Sequence, residues 1–251
     1  MSAEGVFVTG TGTEVGKTVV AATVAQTLAR EGRRVAVFKP AVTGLDQPPK
    51  PPADGPISRA GDDLSAHRPL ADHELLRFAA GSAQNDGEIA PYRYGPPASP
   101  HLAASMAGEA IEPGRLLETA RAAAAGADAL VCEGVGGLLV PLTRGVGGLH
   151  RGEVERPYLV RDLAIELGYP LVVVASPGLG TINHTLLTLE SARAAGLEVA
   201  MVVLTPWSDD PTAIALSNLE AIAGLGQVEV QTLRLLDLSA PSTWPDLSWR
   251  R

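Results

Sequence analysis

Near its start the chain passes from an apolar run, Val6 to Thr9, into Gly10-Thr11-Gly12-Thr13-Glu14-Val15-Gly16-Lys17-Thr18, and then directly into an alanine-rich stretch ending at Arg30. This junction limits the fold more than any other feature. Between Lys17 and Arg30 the residues Val20, Thr23, Val24, Thr27 and Leu28 recur at helical spacing, so a strand, a glycine-rich turn and a core-docked helix follow one another without a gap. Glycines let the backbone curl until successive N–H groups point inward, and the helix start adds its positive dipole end, which together make a cradle for phosphate. Thr13, Glu14, Val15, Gly16, Lys17 and Thr18 are therefore candidate nucleotide-binding residues. Lys17 is placed to reach the outer phosphates, and the Thr18 hydroxyl to ligate Mg²⁺. The loop is one residue longer than the usual pattern, with Thr11 where glycine or alanine is expected.

The rest of the chain repeats the strand-then-helix rhythm. Strands are expected at Val6 to Thr9, Arg34 to Lys39, Ala129 to Glu133, Pro170 to Ser176, Val199 to Leu204 and Val228 to Leu233. Pro113 opens a helix that Gly126 closes, and another runs from Pro211 to Gly224 with Asp209 and Asp210 ahead of it as caps. Such alternation winds a parallel sheet with helices on both faces. The expectation is an α/β, single-domain, P-loop NTPase-like fold over residues 1–251, with a central, mainly parallel sheet flanked by helices on both faces. Irregular loops are expected at 45–56, which is proline-rich, and at 143–157, and an irregular, loosely packed tail from about 239.

Composition excludes several functions. A formal net charge of -8 supplies no basic field for a nucleic-acid backbone. The one cysteine, Cys132, allows no internal disulfide and no cysteine zinc cluster. No apolar run approaches membrane-spanning length, so a cytoplasmic protein with no nucleic-acid or membrane partner is expected. His67, His73, His101 and His150 show no metal-ligand spacing, and only His184 lies in a motif.

Parallel sheets place their sites just beyond the carboxyl ends of strands, and three further motifs fall there. They are Phe38-Lys39-Pro40-Ala41-Val42-Thr43-Gly44, then Val131-Cys132-Glu133-Gly134-Val135-Gly136-Gly137-Leu138-Leu139-Val140-Pro141, then Gly178-Leu179-Gly180-Thr181-Ile182-Asn183-His184-Thr185. Glu133 ends an apolar run, where an unpaired carboxylate would be costly, and it suits Mg²⁺, which takes hard oxygen ligands.

These motifs, in this order after such a loop, resemble the dethiobiotin synthetase family over residues 5 to about 205. The resemblance implies ring closure on a vicinal diamino acid, 7,8-diaminononanoate, with carbon dioxide, ATP and Mg²⁺, giving dethiobiotin, ADP and phosphate. Carbon dioxide adds to one amine as a carbamate, the carbamate takes the terminal phosphoryl group, and the second amine displaces phosphate. By the same resemblance Lys17 and Lys39 are the catalytic lysines, Lys39 facing the carbamate, and Glu133, Gly136 and Gly137 join the phosphate loop in holding nucleotide. Thr13 and Glu14 contact carbamate and substrate mainly through backbone N–H groups, and Thr43 binds the diamine. Thr18, Asp63 and Glu133 hold the metal, with Asp62 the alternative to Asp63. Gly180, Thr181 and Asn183, at a helix starting near Asn183, take the substrate's carboxylate across a homodimer with shared active sites.

Two departures stand out. The family's adenine-reading asparagine after Val199 to Leu204 is replaced by Thr205-Pro206-Trp207, and the usual proline-containing contact near Thr232 to Leu236 is missing. Two other readings are open. A cobyrinic-acid-type synthetase shares such a loop but needs an ammonia source. A partitioning-type ATPase carries an extra loop lysine where this chain has Gly12.

Overall fold

The computed structural model describes residues 3–47, 70–145 and 156–249. In chain order its strands are β1 (Glu4–Gly10), β2 (Val35–Phe38), β3 (Ala41–Val42), β4 (Tyr92–Arg93), β5 (Ala129–Glu133), β6 (Leu171–Ala175), β7 (Val199–Trp207) and β8 (Val230–Arg234). Its helices are α1 (Lys17–Arg30), α2 (Asp72–Ala80), α3 (Asp86–Ile89), α4 (Pro100–Met106), α5 (Pro113–Ala125), α6 (Val160–Leu167), α7 (Thr181–Ala194) and α8 (Ala213–Gly226).

All six expected strands form and join one sheet in the order β2-β5-β1-β6-β7-β8, every adjacent pair parallel. The two-residue strands β3 and β4 form a separate parallel ladder. Successive strand residues point to opposite faces, and both faces are buried, which accounts for the valine-rich runs. Val6, Val8, Val37, Val131, Val174 and Val203 pack on the face carrying α1 and α2. Phe7, Phe38, Leu130 and Cys132 pack with α4, α5 and α6, and Val173, Ala175, Val202 and Leu204 with α7 and α8. At edge strand β2 the Gln84 amide donates to Val37 O at 3.1 Å and accepts from Val37 N at 2.8 Å, satisfying an edge that could otherwise pair with another chain.

Three local expectations need correction. Helix α1 has more than one buried stripe, since every residue from Val20 to Leu28 is buried. The reason is α2, whose Leu75, Leu76, Ala79 and Ala80 share the cluster, together with the C-terminal tail, which is irregular apart from a 3-10 turn at Pro241–Thr243 but anchored through Trp244 and Leu247 rather than loose. Trp244 and Leu247 are both 3% exposed in the α1 cluster, worth about 2 kcal/mol each by area. The Arg30 guanidinium donates to Trp244 O at 2.8 Å, Pro241 O at 2.9 Å and Ser242 O at 3.0 Å, and Leu247 N donates to the Thr27 hydroxyl at 2.9 Å. Helix α8 is capped by Thr212, whose hydroxyl accepts from Ala215 N, and not by Asp209 or Asp210. The cap fixes the start two residues beyond the expected Pro211, since a capping oxygen must reach an N–H of its own first turn. Of loops 45–56 and 143–157, only 45–47, 143–145 and 156–157 fall among the described residues.

Candidate active site

The glycine-rich loop runs out of the carboxyl end of β1, which lies between β5 and β6. Gly16 caps α1 in the left-handed region at φ 90°, and a Cβ there would meet the Thr205 methyl at 2.7 Å. Only glycine satisfies both conditions. The segment after β5 closes in from the other side, where a Cβ on Gly137 would lie 3.1 Å from Gly10 O and one on Gly136, at φ 64°, would strike Val140. Glu14 also adopts positive φ, at 58°, which turns the loop outward around Thr13 and Glu14, both exposed.

Beneath the loop lies a buried cluster of charge. Lys17 Nζ donates to Gly12 O at 2.7 Å across the loop. The Thr18 hydroxyl donates to Glu133 Oε1 at 2.9 Å, and Lys39 Nζ reaches the same oxygen at 2.6 Å and Asp72 Oδ2 at 2.6 Å. Glu133 is fully buried, Lys39 4% exposed and Lys17 8% exposed. Burial lowers Lys17, with the nearby Lys39 charge adding to the effect and Glu133 opposing it. Burial works against Lys39 as well, but the carboxylates of Glu133 and Asp72 outweigh it and hold the ammonium charged. For Asp72 the Lys39 charge overrides burial and keeps the carboxyl low, whereas burial pushes Glu133 up. Such a cluster persists only because each charge has a partner, since isolated buried ions would cost several kcal/mol.

Among the described residues one atom in the cluster has no partner: Glu133 Oε2 is buried without a hydrogen bond. An orphaned carboxylate oxygen beside a threonine hydroxyl and a second carboxylate is a set of hard oxygens that fits Mg²⁺. Thr18, Glu133 and Asp72 would hold the ion.

The cleft above the cluster has a volume of about 810 Å³ and is lined by Thr13, Glu14, Gly16, Lys17, Thr18, Lys39, Thr43, Glu133 and Gly136, with Asp72 among them. Apart from Asp72 these are expected residues, and the cleft brings them together. Val15 turns away and packs against the core, and Gly137 backs onto Gly10. Asp63 and Asp62 lie outside the described residues. Asp72 was missed by sequence reading; its signal is an acidic residue three positions ahead of Leu75, Leu76, Ala79 and Ala80, whose helical spacing marks α2.

Gly180, Thr181 and Asn183 do not line the cleft of their own chain. Helix α7 begins at Thr181 behind Gly180, which caps it at φ 89°, so the expected start at Asn183 is corrected by two residues. The turn is made where glycine permits a left-handed residue, and Asn183 sits inside the first helical turn. Where an adenine reader was sought, Thr205 is buried against Gly16 and Leu238 lines the cleft.

A family model described as "AAA domain" matches residues 4–233. Among solved structures, a ParA family ATPase from Chlorobium tepidum TLS superposes with a TM-score of 0.50 at 14% identity, covering 96% of this chain and 87% of that one, a likeness of fold. Among curated proteins, an ATP-dependent dethiobiotin synthetase BioD from Anaeromyxobacter dehalogenans is 40% identical over 210 residues, covering 83% of this chain and 80% of its relative. The Bacillus subtilis protein of that name is 32% identical over 226 residues, covering 90% and 84%. The Rhodococcus jostii protein of that name is 38% identical over 252 residues, covering 96% and 94%. Identity at this level, over most of this chain and of each relative, means that the chain belongs to the ATP-dependent dethiobiotin synthetase family.

Proposed function

We propose that this chain closes the urea ring of dethiobiotin from 7,8-diaminononanoate, carbon dioxide and ATP, with Mg²⁺ bound by Thr18, Glu133 and Asp72. The observation that carries the reading is the pairing of Lys17 and Lys39 in one cleft, with buried Glu133 between the second lysine and the Thr18 hydroxyl. One amine of the diamine adds to carbon dioxide and loses a proton, leaving a carbamate. A carbamate oxygen then attacks the terminal phosphorus, and ADP leaves. The second amine attacks the carbamoyl carbon and expels phosphate, closing the ring.

Phosphoryl transfer asks the protein mainly for position and positive charge. Lys17 and the loop amides orient the phosphates, while Lys39, kept charged by its two carboxylates, faces the carbamate. Bound Mg²⁺ supplies further charge neutralisation at the phosphates. Thr13, Glu14 and Thr43 border the same space and orient the diamine. The first turn of α7, with Gly180, Thr181 and Asn183, receives the substrate's carboxylate from a second copy of the chain, because it lies off the cleft of its own. Exposed Leu179 and Leu187 beside that turn suit a homodimer contact. Among the described residues no helix is long and apolar enough to cross a membrane, and a cytoplasmic site of action fits the small-molecule substrates.

Incubating purified protein with the diamine, bicarbonate, Mg²⁺ and ATP tests this by mass spectrometry. One cyclic urea should form for each ADP released. Folded protein that binds nucleotide yet yields no urea would overturn the reading.

A further inference from the structure

Helix α8 is mostly apolar in sequence, Ala213-Ile214-Ala215-Leu216-Ser217-Asn218-Leu219-Glu220-Ala221-Ile222, yet one of its few buried residues is polar. Asn218, Ile222 and Gly226 are buried at successive four-residue steps, the face a helix turns toward one neighbour. That neighbour is α7. Ile222 packs in a cluster with Leu189, and a Cβ on Gly226 would meet Leu189 Cδ1 at 2.8 Å. On such a face an aliphatic side chain would be expected at 218.

The Asn218 amide donates to two consecutive carbonyls, Pro177 O at 2.9 Å and Gly178 O at 3.1 Å. Both belong to the turn between β6 and α7. Gly178 O also accepts from Thr181 N at 3.3 Å, so the carbonyl that Asn218 holds takes part in the first turn of α7. At the other end of the same helix pair the Arg193 guanidinium donates to Gly226 O at 2.7 Å and Gln227 O at 3.3 Å. The pair is thus fastened twice, and only Asn218 touches the turn that presents the α7 amides.

We infer that Asn218 is a positioning residue for recognition of the substrate's carboxylate, setting the turn so that the N–H groups at the start of α7 converge on one anion. The inference rests on the reading above, in which that helix start receives the tail. A donor is needed because without it Pro177 O would lose its side-chain partner and Gly178 O would keep only Thr181 N, freeing the turn to shift toward other donors. An amide supplies two N–H bonds and no charge to compete with the ligand.

The test compares Asn218→Leu, which keeps the apolar packing, and Asn218→Ser, too short to span both carbonyls, with Arg193→Ala as control. For each, kcat and KM are measured at saturating nucleotide with the diamino acid and with a matched diamine bearing a methyl group in place of the carboxylate, alongside the thermal midpoint. Both Asn218 variants should raise KM for the acid about tenfold, as expected for losing such hydrogen bonds in a binding site. Their kcat and their KM for the methyl diamine should not move, and Arg193→Ala should lower the midpoint while leaving the preference for the acid intact. Folded Asn218 variants that keep the wild-type preference would overturn the inference, as would an equal loss of preference in Arg193→Ala. A wild-type protein that takes both diamines equally well would instead refute the tail site at α7.

Discussion

The two regions at the carboxyl edge of the sheet are built in opposite ways. Beyond β1, β2 and β5 the charge is carried by side chains that are themselves buried, with Lys39 only 4% exposed and bonded to two carboxylates. Beyond β6 no residue from Gly178 to Asn183 carries a formal charge, Leu179 is 97% exposed, and the turn is fixed by the neutral amide of Asn218. The described part of the first region lies inside one chain. The second faces outward, as the proposed site shared between subunits would require.

The largest expected effect separates roles within the first region. Lys17→Ala should cost about a thousandfold in turnover and most of the nucleotide affinity, since a preorganised donor at the phosphates is lost. Lys39→Ala should cost turnover as heavily while nucleotide still binds, and should lower unfolding stability by about 3 kcal/mol because buried Glu133 loses its nearest cation. Calorimetry with nucleotide and urea unfolding read the two effects. Equal loss of nucleotide in both variants would show that the lysines do not divide the work.

Subunit mixing sharpens the contrast between the regions. Lys17→Ala and Asn183→Ala proteins, each nearly inactive at low substrate, should recover about a quarter of wild-type activity after random exchange, because half the dimers are mixed and each mixed dimer has one intact site. No recovery, with mixed dimers confirmed by native mass spectrometry, would place the tail site within one chain.

The smallest effect concerns the far wall of the cleft, where charged readout ends. Leu238 lines it and Thr205 is turned against Gly16, so GTP or CTP should support product formation within about tenfold of ATP, a gap of roughly 1.4 kcal/mol. A preference for ATP beyond a hundredfold, measured by competition, would mean that a polar group near 205–208 reads the base.

What the sequence disclosed follows the same division. The six strands and α1 were legible because long apolar runs and a glycine-lysine-threonine junction are local signals. Helices α2, α4 and α6 were not read, being only 9, 7 and 8 residues long, too short for a period to stand out. Asp72 was missed with them, since its pairing with Lys39 is made by the fold and not by spacing. The tail was misjudged because what holds it, Arg30 and Thr27 on α1, is distant in the chain. Thr212 displaced two aspartates as a cap through backbone geometry that composition does not record.

That docking of the tail on α1 has a consequence for synthesis. Arg30 is joined to a carbonyl 211 residues further along, and Thr27 to an amide 220 residues away. The helix that follows the phosphate loop is translated more than 200 residues before the segment that covers part of its surface. Until then the nascent chain presents Val20, Val24 and Leu28 on a helix whose cover is incomplete. Closing contacts so remote in sequence is slow, and apolar surface left open in the interval is what holdase chaperones recognise and aggregation exploits. Nucleotide offers little shelter early, because the cradle it needs ends on that same helix.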